Sequence, residues 1–137
     1  KALMEEKPSV SSQICAKEIV RRYTPLLEPL GLTYTQYIAM MVMWEHKSIS
    51  VRDMGKLLFL DSGTLTPMLK KMEKAGWIQR KRSERDERMV ILTITARGEE
   101  LHDKAAEIPS KMARCVTLEN DEALQLYSLL NKMMKSF

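Results

Sequence analysis

Apolar residues recur with helical spacing along most of the chain and with strand-like spacing over one short stretch past its centre. Ser12 reads as a cap for a helix carrying Ile14, Ile19, Val20, Tyr23, Leu26 and Leu27, whose end is fragmented by Pro25, Pro29 and Gly31. Thr33 and Gln36 have capping-box spacing and open a helix through Tyr37, Ile38, Met41, Val42 and Trp44. Ser50 and Asp53 suggest another cap. Val51, Met54, Leu57 and Leu58 follow as one buried stripe of a short helix. Asp61 or Ser62 then caps a helix in which Leu65, Met68, Leu69 and Met72 face inward. Pro67 predicts a local distortion of its early turns, and Gly76 supplies a left-handed stop.

Beyond the stop, Ile78–Arg82 and Met89–Thr95 read as two strands around the charged loop SERDE, which holds no glycine or proline. Thr95 caps a further helix through Leu101, Ala105 and Ile108, bent or ended at Pro109. A last helix runs from about Asn120, with Leu126, Leu129, Leu130 and Met133 on one side. The predicted fold is mainly α with a small β-hairpin wing: a winged helix-turn-helix flanked by terminal helices. One domain is expected over residues 1–137. Residues 33–97 form the DNA-binding module, and 12–32 and 98–137 form dimerisation helices whose apolar faces pack together and against a second copy.

Composition adds limits rather than direction. The 137 residues suffice for one core, and 45% hydrophobic with 29% charged residues is ordinary for a globular chain. A formal charge of +4 permits nucleic-acid binding without demanding it, so the location of charge decides more than its total. It concentrates at Arg80, Lys81, Arg82, Arg85 and Arg88. Two cysteines 100 residues apart, with no paired Cys/His spacing, argue against a zinc site and against a secreted disulfide scaffold. His46 and His102 lack partners at ligand spacing, and no metal or cofactor is expected. No apolar run approaches the ~18 residues that cross a bilayer, and the amino-terminal segment lacks a signal peptide's apolar region. A reducing cytoplasm is the expected compartment.

The helix from Ser62 carries Ser62, Gly63, Thr64, Thr66, Pro67 and Lys70 away from its apolar stripe. Short side chains near a helix start let the backbone approach base edges, and lysine reaches phosphates. A solvated surface face accounts equally well for the helix alone. The hairpin that follows tilts the reading: Arg85 and Arg88 flank Asp86 at a loop tip, where a carboxylate can hold a guanidinium for the minor groove. Of the thiols, Cys15 falls in the first turn of its helix if Ser12 is the cap, and there free N–H groups favour thiolate, the form that attacks peroxides. The plainer account of a free cysteine is a small buried hydrophobe, and of Tyr23 and Tyr34, amphipathic packing.

The run DSGTLTPMLKKMEKAGWIQRKRSERDERMVILTIT, with RRYTPLLEPLGLTYTQY before it, resembles the MarR family of bacterial regulators, in its organic-hydroperoxide-sensing, OhrR-like branch. The likeness covers about Gln13 to Pro109. It implies a homodimeric repressor on a palindromic double-stranded DNA operator. The helix from Ser62 would read the major groove, with Arg80 and Arg82 on the wing strand, Arg88 in the minor groove and Asp86 orienting it. It also implies that Gln13–Ile14–Cys15 carries the reactive cysteine, that Tyr23 and Tyr34 of the partner subunit hydrogen-bond its sulfur, and that Cys115 captures the sulfenic acid as an intersubunit disulfide.

One departure stands out. Between Cys15 and Tyr23 the chain is shorter than the family spacing by roughly six residues, not a whole number of helical turns. Either the helix start is remodelled or residues are missing there. The expected function is therefore a DNA-binding repressor released when organic hydroperoxide oxidises Cys15. The alternatives are a repressor released by a small aromatic or phenolic ligand without oxidation, a thiol peroxidase using both cysteines, or a protein-binding module built on the basic hairpin.

Overall fold

The computed structural model describes residues 8–137. The chain runs α1 (Pro8–Leu27), a 3-10 turn (Glu28–Leu30), α2 (Tyr34–His46), β1 (Ser48–Ser50), α3 (Val51–Leu58), α4 (Ser62–Lys74), β2 (Ile78–Arg82), β3 (Val90–Ile94), α5 (Ala96–Ala105), α6 (Ile108–Arg114) and α7 (Asn120–Met134). The expected mainly α architecture with a β wing is the one found.

Local sequence explains most boundaries. Thr33 accepts a hydrogen bond from the Gln36 N–H, and the Gln36 side chain accepts one from the Thr33 N–H, closing the capping box of α2. Ser50 caps α3 and Asp61 caps α4, each accepting from the N–H three residues on. Pro67 is accommodated without a break in α4, although its missing N–H leaves the Gly63 carbonyl without a ladder donor. Gly76 takes φ +85°, where a Cβ would be disfavoured, and turns the chain sharply from α4 into β2. The helix expected to run through Ile108 stops earlier, at Ala105, and Ile108 and Pro109 instead open α6, where the proline needs no N–H.

The sheet is antiparallel in the order β1-β3-β2, with Ile49 and Arg80 both opposite Leu92. The wing hairpin is extended by Ser83, whose N–H donates to the Met89 carbonyl. The third strand, β1, was absent from the sequence expectation. Behind the sheet, Tyr37, Met40 and Met43 of α2 pack in one core with Met54 of α3, Leu65, Leu69 and Met72 of α4, Ile78 and Leu92. Each such side chain contributes about 1.5–3 kcal/mol by leaving water. The inward face expected of α4 is observed, with Met68 partly buried. In α3 only Met54 is buried, and Leu57 is 51% exposed, because the eight-residue helix turns one narrow edge to the core.

Thr95 joins the wing to the long α5–α6 arm. Its hydroxyl accepts from the Gly98 N–H and donates to the Gly76 carbonyl, so one side chain caps α5 and pins the turn after α4. Gly98 is there for space: a Cβ would lie 2.3 Å from the Trp77 carbonyl oxygen. Its own carbonyl accepts from Trp44 Nε1 at 2.9 Å, tying the arm to α2.

One expectation fails at the amino end. Ser12 is not a cap, because α1 already runs through Pro8, and Cys15 lies about two turns inside it. Nothing in Val10–Gln13 stops a helix, and proline suits a first turn. The helix-end stabilisation of a thiolate fades within one turn, so it does not act on Cys15.

Candidate nucleic-acid interface and thiol sites

The outer face of α4 is built by elimination. Leu65, Leu69 and Met72 face the core, which leaves Ser62, Gly63, Thr64, Pro67 and Lys70 exposed and Thr66 partly so. Asp61 holds the first turn by accepting from the Thr64 N–H at 2.8 Å. Hydrogen bonds from the Thr64 backbone, then from its side chain, keep the Asp61 carboxyl below its usual range.

The wing tip is organised by its own polar groups. Asp86 Oδ1 accepts from the Arg88 N–H at 3.0 Å and from Arg88 Nε at 3.4 Å, while the Arg88 side chain stays 93% exposed. Arg82 Nη1 donates to the Glu87 carbonyl at 2.7 Å, bracing the loop from the strand. Arg85 is exposed beside them, its N–H donating to Ser83 Oγ. Arg80 is placed differently from these. Its guanidinium meets Glu73 of α4 at 3.1 Å, and its side chain is only 27% exposed. Of the arginines expected to face DNA, Arg85 and Arg88 present open guanidinium groups, whereas Arg80 and Arg82 are engaged within the fold.

The sequence reading missed Arg52. This exposed residue lies in the first turn of α3 and shares with Ser62, Asp86 and Arg88 a concavity of about 650 Å³ between α4 and the wing. A cation in a helix's first turn opposes the macrodipole, and that was the signal available.

Tyr23, Tyr34 and Tyr37 form one aromatic cluster where α1 crosses α2. Tyr23 lies 5.2 Å from Tyr34 and 5.6 Å from Tyr37 between ring centroids. Burial, then the neighbouring phenol Tyr34, raises the Tyr23 pKa; burial, then Tyr23 and Tyr34, raises that of Tyr37. Both stay neutral phenols near pH 7. Cys15 is exposed on α1, eight residues before Tyr23. On a continuous helix that is about 12 Å along the axis and about 80° around it, so one protomer does not bring Cys15 to its own tyrosines. Cys115 caps the end of α6 and is exposed, its thiol donating weakly to the Lys111 carbonyl at 3.6 Å. It lines a groove of about 620 Å³ with Arg21, Arg22, Pro25, Leu26 and Lys111. His102 stacks on Trp44 at 4.8 Å, a packing role. No helix among the described residues is long and apolar enough to cross a membrane.

A helix with a small-residue outer face followed by a hairpin wing on a three-stranded sheet defines a winged-helix regulator. The family model for the transcriptional regulator SarA/Rot matches residues 21–105. The organic hydroperoxide resistance transcriptional regulator of Bacillus subtilis (strain 168) is 41% identical over 133 residues, covering 93% of this chain and 90% of the relative. The regulator SarZ of Staphylococcus epidermidis is 35% identical over 139 residues, covering 96% and 94%. Among solved structures, reduced AbfR bound to DNA superposes with a TM-score of 0.81 at 30% identity, covering 97% of this chain and 94% of that one. The chain belongs to the MarR family of transcriptional regulators, in the branch of the organic hydroperoxide resistance regulator and with SarA/Rot-type character. These relatives are regulators, not enzymes, which sets aside the thiol-peroxidase alternative. The 133 positions aligned with the Bacillus regulator draw on only 93% of this chain, so that relative carries residues this chain lacks.

Proposed function

We propose that the protein is a homodimeric repressor that binds a palindromic double-stranded DNA operator and is released by organic hydroperoxide through oxidation of Cys15. The observation that carries the DNA reading is the wing tip: Arg88 projects almost fully into solvent, with Asp86 beside it, next to the small-residue face of α4. In this reading Ser62, Gly63, Thr64, Thr66, Pro67 and Lys70 meet the major groove, and Arg88 enters the minor groove. Arg85 and Arg52 take phosphates; Arg80 and Arg82 hold the wing rather than the duplex. The reading is supported by AbfR, solved on DNA and sharing this fold over nearly the whole chain.

The experiment is a salt titration of affinity. Binding is expected to weaken steeply with salt, by about 0.9 in log affinity per log salt for each phosphate neutralised. Because the dimer carries two copies of Arg88, Arg88→Ala should weaken binding at least about tenfold and flatten that slope by up to about two. A slope equal to wild type at unchanged affinity would remove Arg88 from the interface.

Release would follow from the thiol. The Cys15 thiolate attacks the distal peroxide oxygen, the O–O bond breaks, and the alkoxide leaves as alcohol after taking a proton. The resulting sulfenic acid condenses with a Cys115 thiol to give a disulfide and water. Cys15 lies in the first half of α1, whereas the Cys115 groove is lined by Arg21, Arg22, Pro25 and Leu26 of its second half, which favours a partner subunit's Cys115 over the chain's own. A covalent tie between subunits would shift the two wings out of register with the operator.

A second reading keeps the repressor and replaces oxidation with a small aromatic or phenolic ligand. It is favoured by the angular offset of Cys15 from Tyr23 along the uninterrupted α1.

A further inference from the structure

We propose that Glu73 is a positioning residue for DNA recognition, clamping the far end of α4 to the root of the wing through Arg80. The inference rests on the DNA-binding reading above and concerns how its two contact elements are held relative to one another.

The clamp uses both carboxylate oxygens of one side chain. Glu73 Oε1 accepts from Arg80 Nε at 3.1 Å and pairs with Nη2 at 3.1 Å, while Oε2 accepts from the Arg80 backbone N–H at 3.3 Å. That backbone donor belongs to an edge strand, because β2 has β3 on one side only. Glu73 therefore satisfies an edge N–H and a guanidinium together, a forked arrangement that lysine would not reproduce. The covalent path between the two residues is a helix stop at Gly76 followed by a turn, with the Trp77 N–H bonded to the Met72 carbonyl. Such a turn sets the direction of the chain but leaves twist between helix and hairpin. The clamp lies across that turn, seven residues apart in sequence, and fixes the angle at which α4 and the wing tip meet a duplex.

Its consequence runs against simple electrostatics. Glu73 is an acid on the helix that reads DNA, so removing it from a cation-rich face would by charge alone tighten binding to phosphates. If it holds the wing in place, removing it loosens a polar constraint, added to the core packing and the Thr95 bond to the turn, that aligns Arg88 with the minor groove while α4 sits in the major groove, and binding weakens instead. The two accounts differ in sign.

The test measures affinity of the full chain by fluorescence anisotropy for a duplex that the wild-type protein enriches from a randomised palindromic pool. Four proteins are compared: wild type, Glu73→Ala, Arg88→Ala and the double variant. Glu73→Ala is expected to bind about tenfold more weakly, and to lose about twofold or less once Arg88 is already gone, a non-additivity that marks residues acting through one another. Unchanged or tighter binding overturns the proposal, as does an equal loss in both backgrounds. Arg80→Lys, which keeps the charge and gives up the fork, should weaken binding at an unchanged salt slope; a folded Arg80→Lys protein with wild-type affinity would also overturn it, even should Glu73→Ala not fold. A wild-type chain that enriches no duplex would instead sink the DNA reading itself.

Discussion

At the scale of single residues, side-chain type was legible and surroundings were not. Cysteine, tyrosine and arginine stand out in the sequence as the residue types that could carry chemistry or charge. Which of them meet depends on helix phase and on contacts across turns, and neither is written locally. Arg80 and Arg88 look alike in sequence, yet one is tied to Glu73 and the other is open to solvent. Cys15 was placed at a helix start that lies further upstream, so its exposure, rather than a helix dipole, makes it available to a peroxide. Cys15→Ser separates the two proposals for release. Under the oxidation reading the variant binds its operator as the wild type does and stays bound after one equivalent of cumene hydroperoxide, followed by anisotropy. Release of the variant by the peroxide would remove Cys15 as the sensor. Release of the reduced protein by a phenolic acid, indifferent to reductant, would select the ligand reading instead.

At the scale of elements, capping residues carried most of the information. Thr33, Asp61 and Thr95 each satisfy free N–H groups within four residues of their own position, so a local signal was enough. Strand β1 was missed for the opposite reason. Ser48–Ser50 is only three residues long, too short for its alternation to signal a strand, and it is held by pairing with Ile91–Thr93, more than forty residues away. The Asp61 cap makes α4 sensitive to acid. Its carboxyl is held below the ordinary value by the Thr64 hydrogen bonds, so the folded form favours the carboxylate. A depressed folded-state pKa gives stability that is present above the unfolded value near 4 and lost as pH falls through the folded one. Asp61→Asn keeps an acceptor and removes the titration. Melting temperatures followed from pH 6 to pH 2 should therefore fall more for wild type than for Asp61→Asn across the range below about pH 4. Parallel curves would show that the cap does not depend on ionisation.

At the scale of the molecule, the arms pose the question that the winged-helix core does not. All fifteen residues of α7 lack burial, and Leu126, Leu129, Leu130 and Met133 along one side are each 45–51% exposed. On α1, Val10, Ile14 and Ile19 are similarly open. A fifteen-residue helix is marginal in water on its own, and an apolar face this continuous marks an interaction surface. A second copy of the chain is the occupant that also serves the proposed function: two wings on one duplex bind half-sites about one turn apart, and Cys15 gains a partner subunit's Tyr23, Tyr34 and Cys115. The pair Leu126→Glu and Leu130→Glu places charge on that face while touching none of the residues that form the core of the reading head. Sedimentation should find wild type as a dimer and the variant as a monomer at micromolar concentration, with circular dichroism still showing folded helices. Operator affinity should then drop at least about a hundredfold, because each head is left to bind its half-site without the effective concentration that its twin provides. A monomeric variant that kept wild-type affinity would mean that one head suffices, and the disulfide between subunits would lose its purpose along with the symmetry.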